Sequence, residues 1–141
     1  MAVHRSFLSL DIGERRVGVA LANSIAKISN PYATLYQSDN LIDEIKKIID
    51  DETVDILVIG LPRNLENKDT DQTRYVREFS DKLKTKIDIP VYFEDEALSS
   101  VRAKQTLDKA KLGYVKEDID ALAACYILDD FMANNVEVVN G

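Results

Sequence analysis

Asp11, the run Glu94-Asp95-Glu96 and Asp120 are acids placed where apolar segments begin or end. Asp11 closes Ser6-Phe-Leu-Ser-Leu-Asp11, and the acidic run follows Ile89-Pro-Val-Tyr-Phe93. Asp120 opens a segment in which Ala124, Ile127 and Phe131 continue its own face. Carboxylates held within a few ångströms repel one another and raise each other's pKa unless a cation lies between them. A hard divalent ion that takes oxygen ligands and keeps its waters, Mg²⁺ or Mn²⁺, suits Asp and Glu gathered without His or Cys. Two such ions ~3.5–4 Å apart stabilise the attacking and leaving oxygens of a phosphoryl displacement, and one alone polarises the phosphate and orients water. Taken singly, each acid has a plainer use. Asp11 before Ile12-Gly13 fits a turn, and Asp118 or Asp120 fits a helix cap. At least one of the three consecutive acids faces solvent, because alternate strand residues point to opposite faces. The joint arrangement carries the inference: strand ends on one edge of a mixed sheet can bring such groups together.

The elements that would position these acids are legible in the pattern. Ser6–Asp11 reads as a strand, Gly13 permits a tight turn, and Arg16–Ala22 alternates strictly. Val17, Val19 and Leu21 form its branched face, and Gly18, Ala20 and Ala22 form a small face that another element must approach closely. These two strands pair as a hairpin, and a third strand follows over about 32–36. Leu41, Ile42, Ile45, Ile48 and Ile49 recur at helical spacing behind the cap candidates Ser38 to Asn40. Val54–Gly60 is apolar on both faces, as a strand covered on both sides must be. A polar loop leads to a helix over about 71–84 with Val76, Phe79 and Leu83 inward. The Ile89–Phe93 strand follows, then a helix capped by Ser99 or Ser100 and reaching about Ala110. After a linker from Lys111 to Glu117, the run Ala121–Leu128 is apolar all round and therefore a buried helix. The tail from Asn134 is expected to fray. Three meandering strands followed by strand–helix alternation give an α/β fold, a mixed five-stranded sheet with helices on both faces.

The chain has 141 residues, 45% of them apolar, and a net charge of −7. That length fits a single domain, 1–141. One cysteine and one histidine exclude an internal disulfide framework and a multi-cysteine zinc site. The absence of a long apolar run or a secretory start points to a cytoplasmic protein with no membrane partner. His4 reads as a tail residue and Cys125 as a small core residue.

Four segments resemble the motifs of the YqgF family, also called the RuvX-type family. They are Asp11-Ile-Gly-Glu-Arg-Arg-Val-Gly-Val-Ala-Leu-Ala22, Gly60-Leu-Pro-Arg-Asn64 with Gln72 and Val76-Arg-Glu-Phe79, Asp95-Glu96-Ala-Leu-Ser-Ser100, and Ile119-Asp120-Ala-Leu-Ala-Ala124. They occur in order and span nearly the whole chain. The resemblance implies an RNase H-like fold and a metal-dependent nuclease site, with Asp11, Glu96 and Asp120 as the catalytic, metal-binding carboxylates. It also implies a role in processing the 5′ end of pre-16S ribosomal RNA, and behind that the resolution of Holliday junctions in branched DNA. The chain departs from the family pattern at Ala97, where Arg is usual, and at Asn67 and Thr70, where glycines are usual. Its linker before Asp120 is also poorer in basic residues.

An acidic chain does not advertise nucleic-acid binding, but net charge is a global sum and a local basic face can coexist with it. Arg15, Arg16, Arg63 and Lys116 are the candidates for phosphate contact. Arg15 and Arg16 stand foremost because they neighbour Asp11. Tyr114 could stack on a base, although packing in its linker is the simpler use. The leading reading is an endonuclease acting on ribosomal RNA precursor, as a monomer or homodimer. The alternatives are a junction resolvase, which calls for a dimer, and a non-catalytic binding factor. An actin-like or sugar-kinase-like phosphotransferase ranks last, because that chemistry needs two such domains around the nucleotide.

Overall fold

The computed structural model describes residues 4–63, 66, 68–96, 99–110 and 113–140, the backbone alone at 99–101. Its elements are β1 (Ser6–Ile12), β2 (Arg16–Asn23), β3 (Asn30–Tyr36), α1 (Leu41–Asp51), β4 (Ile56–Pro62), α2 (Asp71–Lys84), β5 (Val91–Glu96), α3 (Ser99–Lys109), α4 (Lys116–Asn134) and α5 (Val136–Asn140). The strands form one sheet in the order β3-β2-β1-β4-β5. β1–β2 and β2–β3 are antiparallel, whereas β1–β4 and β4–β5 are parallel. The sheet is therefore mixed and five-stranded, as the pattern predicts.

Strand parity divides the core in two. Leu8, Leu10 and Ile12 of β1, Val17 and Val19 of β2, and Leu57, Ile59 and Leu61 of β4 pack on one face against α1 and α2. Phe7, Ala20, Ala22, Ile56 and Val58 pack on the other against Ala124, Ile127, Leu128 and Phe131 of α4. β1 and β4 are covered on both sides, and for that reason read as continuous apolar runs. Asp11 has the parity of Phe7, so its side chain belongs to the α4 face.

The small face of β2 is where α4 comes closest. A Cβ built on Gly18 would lie 1.9 Å from the Asp120 carbonyl oxygen. The first strand holds the same helix through a buried hydroxyl: Ser9 Oγ donates to the Ala124 carbonyl at 2.6 Å. Thr70, at one of the positions where the family pattern has glycine, is the N-cap of α2 and exchanges hydrogen bonds with Thr73.

Several boundaries differ from the sequence reading. β3 begins at Asn30, β4 begins at Ile56 rather than Val54, β5 runs over Val91–Glu96 rather than Ile89–Phe93 and so contains the acidic run, and α4 begins at Lys116, a full turn before Asp120. The expected frayed tail is instead α5, whose Val139 is 2% exposed in the α4-side core. The Arg5 guanidinium also donates to the Val138 carbonyl at 2.8 Å. Burial of one valine and a cross-chain hydrogen bond offset the cost of ordering this last turn, and neither is visible in local composition. Ala97, Asn67 and Lys111 lie outside the described residues, as do the side chains of the cap candidates Ser99 and Ser100. Among the described residues no helix is long and apolar enough to cross a membrane.

Candidate active site

The acids gather at one end of the sheet. Asp11 sits near the end of β1 and pairs in register with Gly18. Glu96 ends β5, in register with Pro62 of the neighbouring parallel strand. Gly60, two residues earlier on β4, leaves the space between them open: a Cβ there would come within 3.5 Å of Glu96 Oε2 and 2.4 Å of Ile127 Cδ1.

The carboxyls of Asp11 and Glu96 lie close enough to shift each other's titration. Burial holds the pKa of Asp11 well above the ordinary carboxylate range, and the nearby charges of Glu96 and, less strongly, Asp120 push it further. Burial likewise raises Glu96, although the proton donated by Asp11 works against that rise. Two carboxyls crowded in this way resist ionising together unless a cation lies between them.

Asp120 faces the same cleft from the second turn of α4 but has another partner. Its Oδ2 accepts from Arg16 Nε at 2.5 Å. Asp118 takes the role that either helix acid could have filled, its Oδ2 accepting the Val115 N–H at 3.0 Å as a cap. Among the described residues no group of three acids, histidines or cysteines stands ready-made to hold a metal ion. The donor set nevertheless suits a hard divalent cation. Two half-buried carboxyls crowd one another, and a third acid is charge-compensated by an arginine that an incoming cation could replace.

Two glutamines pin the turn beside Asp11. Gln72 Nε2, from α2, donates to the Ile12 carbonyl at 3.0 Å, and Gln37 Nε2 donates to the Gly13 carbonyl at 2.8 Å. Gly13 N–H closes the turn onto the Arg16 carbonyl at 2.9 Å. Gln72 belongs to a motif segment and was visible as such. Gln37 carries no sequence signal, since only the pairing of β3 brings it to the turn.

The four candidate phosphate contacts are placed differently from one another. Arg15 is exposed in the turn and Lys116 is exposed at the start of α4. Arg16 is turned inward to Asp120, which removes its Nε from contact with a backbone. Arg63 is half-buried between Asp69 at 3.5 Å and Asp95 at 3.6 Å. It lines a depression of about 520 Å³ beside β5 together with Arg77, Glu94 and Asp130. Glu94 accepts from Asn134 Nδ2 at 2.7 Å and lies away from the acid pair, and Asp95 is exposed. Cys125 is a buried core residue, and Tyr114 is used in local packing, its hydroxyl donating to Asp108 at 2.7 Å.

The chain resembles Thermus thermophilus RuvC, solved alone and "in complex with Holliday junction substrate", with a TM-score of 0.55 in each case. The likeness covers 92% of this chain and 95% of RuvC, at 10% identity for RuvC alone and 12% for the complex, which establishes the RNase H-like fold. Two curated relatives carry the name "Putative pre-16S rRNA nuclease". The one from Mycoplasma mobile is 37% identical over 90% of this chain and 91% of its own length. The one from Maridesulfovibrio salexigens is 37% identical over 89% and 96%. A family model described as RuvX, Holliday junction resolvase, matches residues 5–134. The crowded acids, the sheet order and these matches converge on one assignment: the chain belongs to the RuvX family.

Proposed function

We propose that this chain is a divalent-metal-dependent endonuclease of the cytoplasm, one catalytic domain that hydrolyses phosphodiester bonds in the 5′ region of pre-16S ribosomal RNA. The observation that carries the reading is the crowding of Asp11 and Glu96, at the ends of the first and last strands, with Asp120 alongside. The names of the relatives supply the substrate. Asp11, Glu96 and Asp120 would hold Mg²⁺ or Mn²⁺, which when bound polarises the phosphate and lowers the pKa of its water. Asp11 and Glu96 would both have to be ionised to serve as ligands, against the raised pKa of each. Asp120 would have to leave Arg16 to hold such an ion, and the guanidinium would then be free to meet a phosphate oxygen. Arg15 and Lys116 receive the backbone on either side. The two glutamines keep Asp11 from drifting, because a reacting group must be held to within a fraction of an ångström.

Branched DNA is the competing substrate, favoured by the description of the family model. Cleavage of a precursor RNA and a synthetic four-way junction, side by side in Mg²⁺, separates the two. Asp11→Asn is expected to lose cleavage at least ~10²-fold while melting as a folded protein. Full cleavage by that variant in Mg²⁺ would remove the acid pair from the mechanism.

A further inference from the structure

Tyr36 ends β3 in register with Arg16 and is 56% exposed. Its hydroxyl donates to Glu117 Oε1 at 2.8 Å in the first turn of α4, one turn before Asp120. Arg16, its register partner, reaches Asp120 Oδ2 at 2.5 Å, which places the phenol at the rim of the acid cleft. The next residue, Gln37, ties the same strand end to the turn that follows Asp11. A ring tethered by its hydroxyl, on a strand anchored at two points, is a pre-organised flat surface that loses little freedom on binding.

A clamp on Glu117 needs only the oxygen, and it leaves the exposed ring without a use. We propose that Tyr36 is a stacking platform for an unpaired nucleobase of the strand being cut, so that the substrate class is single-stranded nucleic acid. This rests on the nuclease reading above. Every base has a π-face, and an aromatic side chain beside a charged groove is how sequence-tolerant single-strand binding is built. Bases inside a duplex are already stacked on both faces, so blunt duplexes and fully paired junctions offer this ring nothing.

The chain has no tryptophan, so Tyr36→Trp introduces a single fluorescent reporter. In an Asp11→Asn background, which leaves the strand uncut, indole emission is expected to fall as single-stranded RNA or DNA of about a dozen nucleotides is added. The fall should saturate together with the anisotropy of a labelled strand. A blunt duplex and a sealed four-way junction should leave emission unchanged. With the native metal ligands and no metal added, Tyr36→Phe should bind single strands within about twofold of the unaltered protein. Tyr36→Ala should weaken binding about 5- to 150-fold, the range that stacking of one base carries.

Unchanged indole emission on a strand that anisotropy shows to be bound overturns the proposal. So does Tyr36→Phe losing as much affinity as Tyr36→Ala, or equal quenching by the duplex. In each of these cases the unaltered protein still cuts and the nuclease reading stands. An unaltered protein that neither binds nor cuts any strand removes both.

Discussion

Substituting Gly18 by Ala tests how closely the helix carrying Asp120 must sit on the sheet. The new methyl carbon would lie 1.9 Å from the Asp120 carbonyl oxygen, with Asp120 C at 2.3 Å and Ala121 N at 3.0 Å. A carbon–oxygen contact settles at no less than ~3.3 Å. The first turns of α4 must therefore retreat about 1.4 Å, since the obstacle is backbone and no rotamer change can clear it. Overpacking of this kind costs ~1–3 kcal/mol. A rigid helix of 19 residues puts the cost near the top, about 3 kcal/mol. With an unfolding entropy of ~2.1 cal/mol/K per residue, a chain of 141 residues should melt about 10 °C lower. A displacement of ~1 Å at a catalytic group costs ~10²-fold in rate, so cleavage should fall by that factor even where the variant is fully folded. The assay pairs thermal melting with metal-dependent cleavage measured 15 °C or more below the variant's own midpoint. Gly113→Ala is the control: a Cβ there meets nothing within 4 Å, and its melting should move by less than ~2 °C. If Gly18→Ala melts and cuts like the unaltered protein, α4 does not rest on β2 as described and Asp120 is not held by that contact.

Other perturbations bear on different parts of the fold. Asp11 and Glu96 both have pKa values raised in the folded chain, so the stability they add is complete below the ordinary carboxylate value of ~4 and is lost as pH climbs through the raised values. Chemical denaturation in EDTA should show metal-free stability declining over that window, and Asp11→Asn should flatten the decline; a slope unaffected by the substitution would contradict the raised Asp11 pKa. Removing residues from 136 onward exposes the Val139 pocket and strips Arg5 of its partner, and should cost ~2 kcal/mol, or about 7 °C in melting temperature. Burial pushes the Cys125 thiol up to about 11. At pH 8 it should react with iodoacetamide ~10²-fold more slowly in the native protein than in urea, as peptide mass spectrometry can follow.

Strand and helix types were legible because each segment obeys one period. The branched and small faces of β2 even foretold a close neighbour, which is α4 over Gly18. The acids were legible as positions that interrupt apolar runs, and Asp11 and Glu96 do meet. Their pairing was not legible, because it depends on β4 separating β1 from β5 in the sheet order. The choice among Glu94, Asp95 and Glu96 came from a motif, whereas the structure makes it by strand parity and by how far β5 extends along β4. The commitments of Arg16 to Asp120 and of Arg63 to Asp69 and Asp95 were invisible, since a basic residue near an acid in space gives no local signal. Tyr36 and Gln37 escaped for the same reason, as only the β2–β3 register brings them to the Asp11 turn. The order in α5 escaped because Val139 and Arg5 stabilise it from opposite ends of the chain.

The three acids sit on β1, β5 and α4, and α4 covers the same strand face from which Asp11 projects. Lifting that helix would flood Phe7, Val58 and Phe131 with water and would also scatter the carboxyls. A half-assembled chain, whether newly made or partly melted, therefore has no working cutting edge. On the site proposed above, competence would arrive only with the complete tertiary structure, and unfinished copies would make no stray cuts.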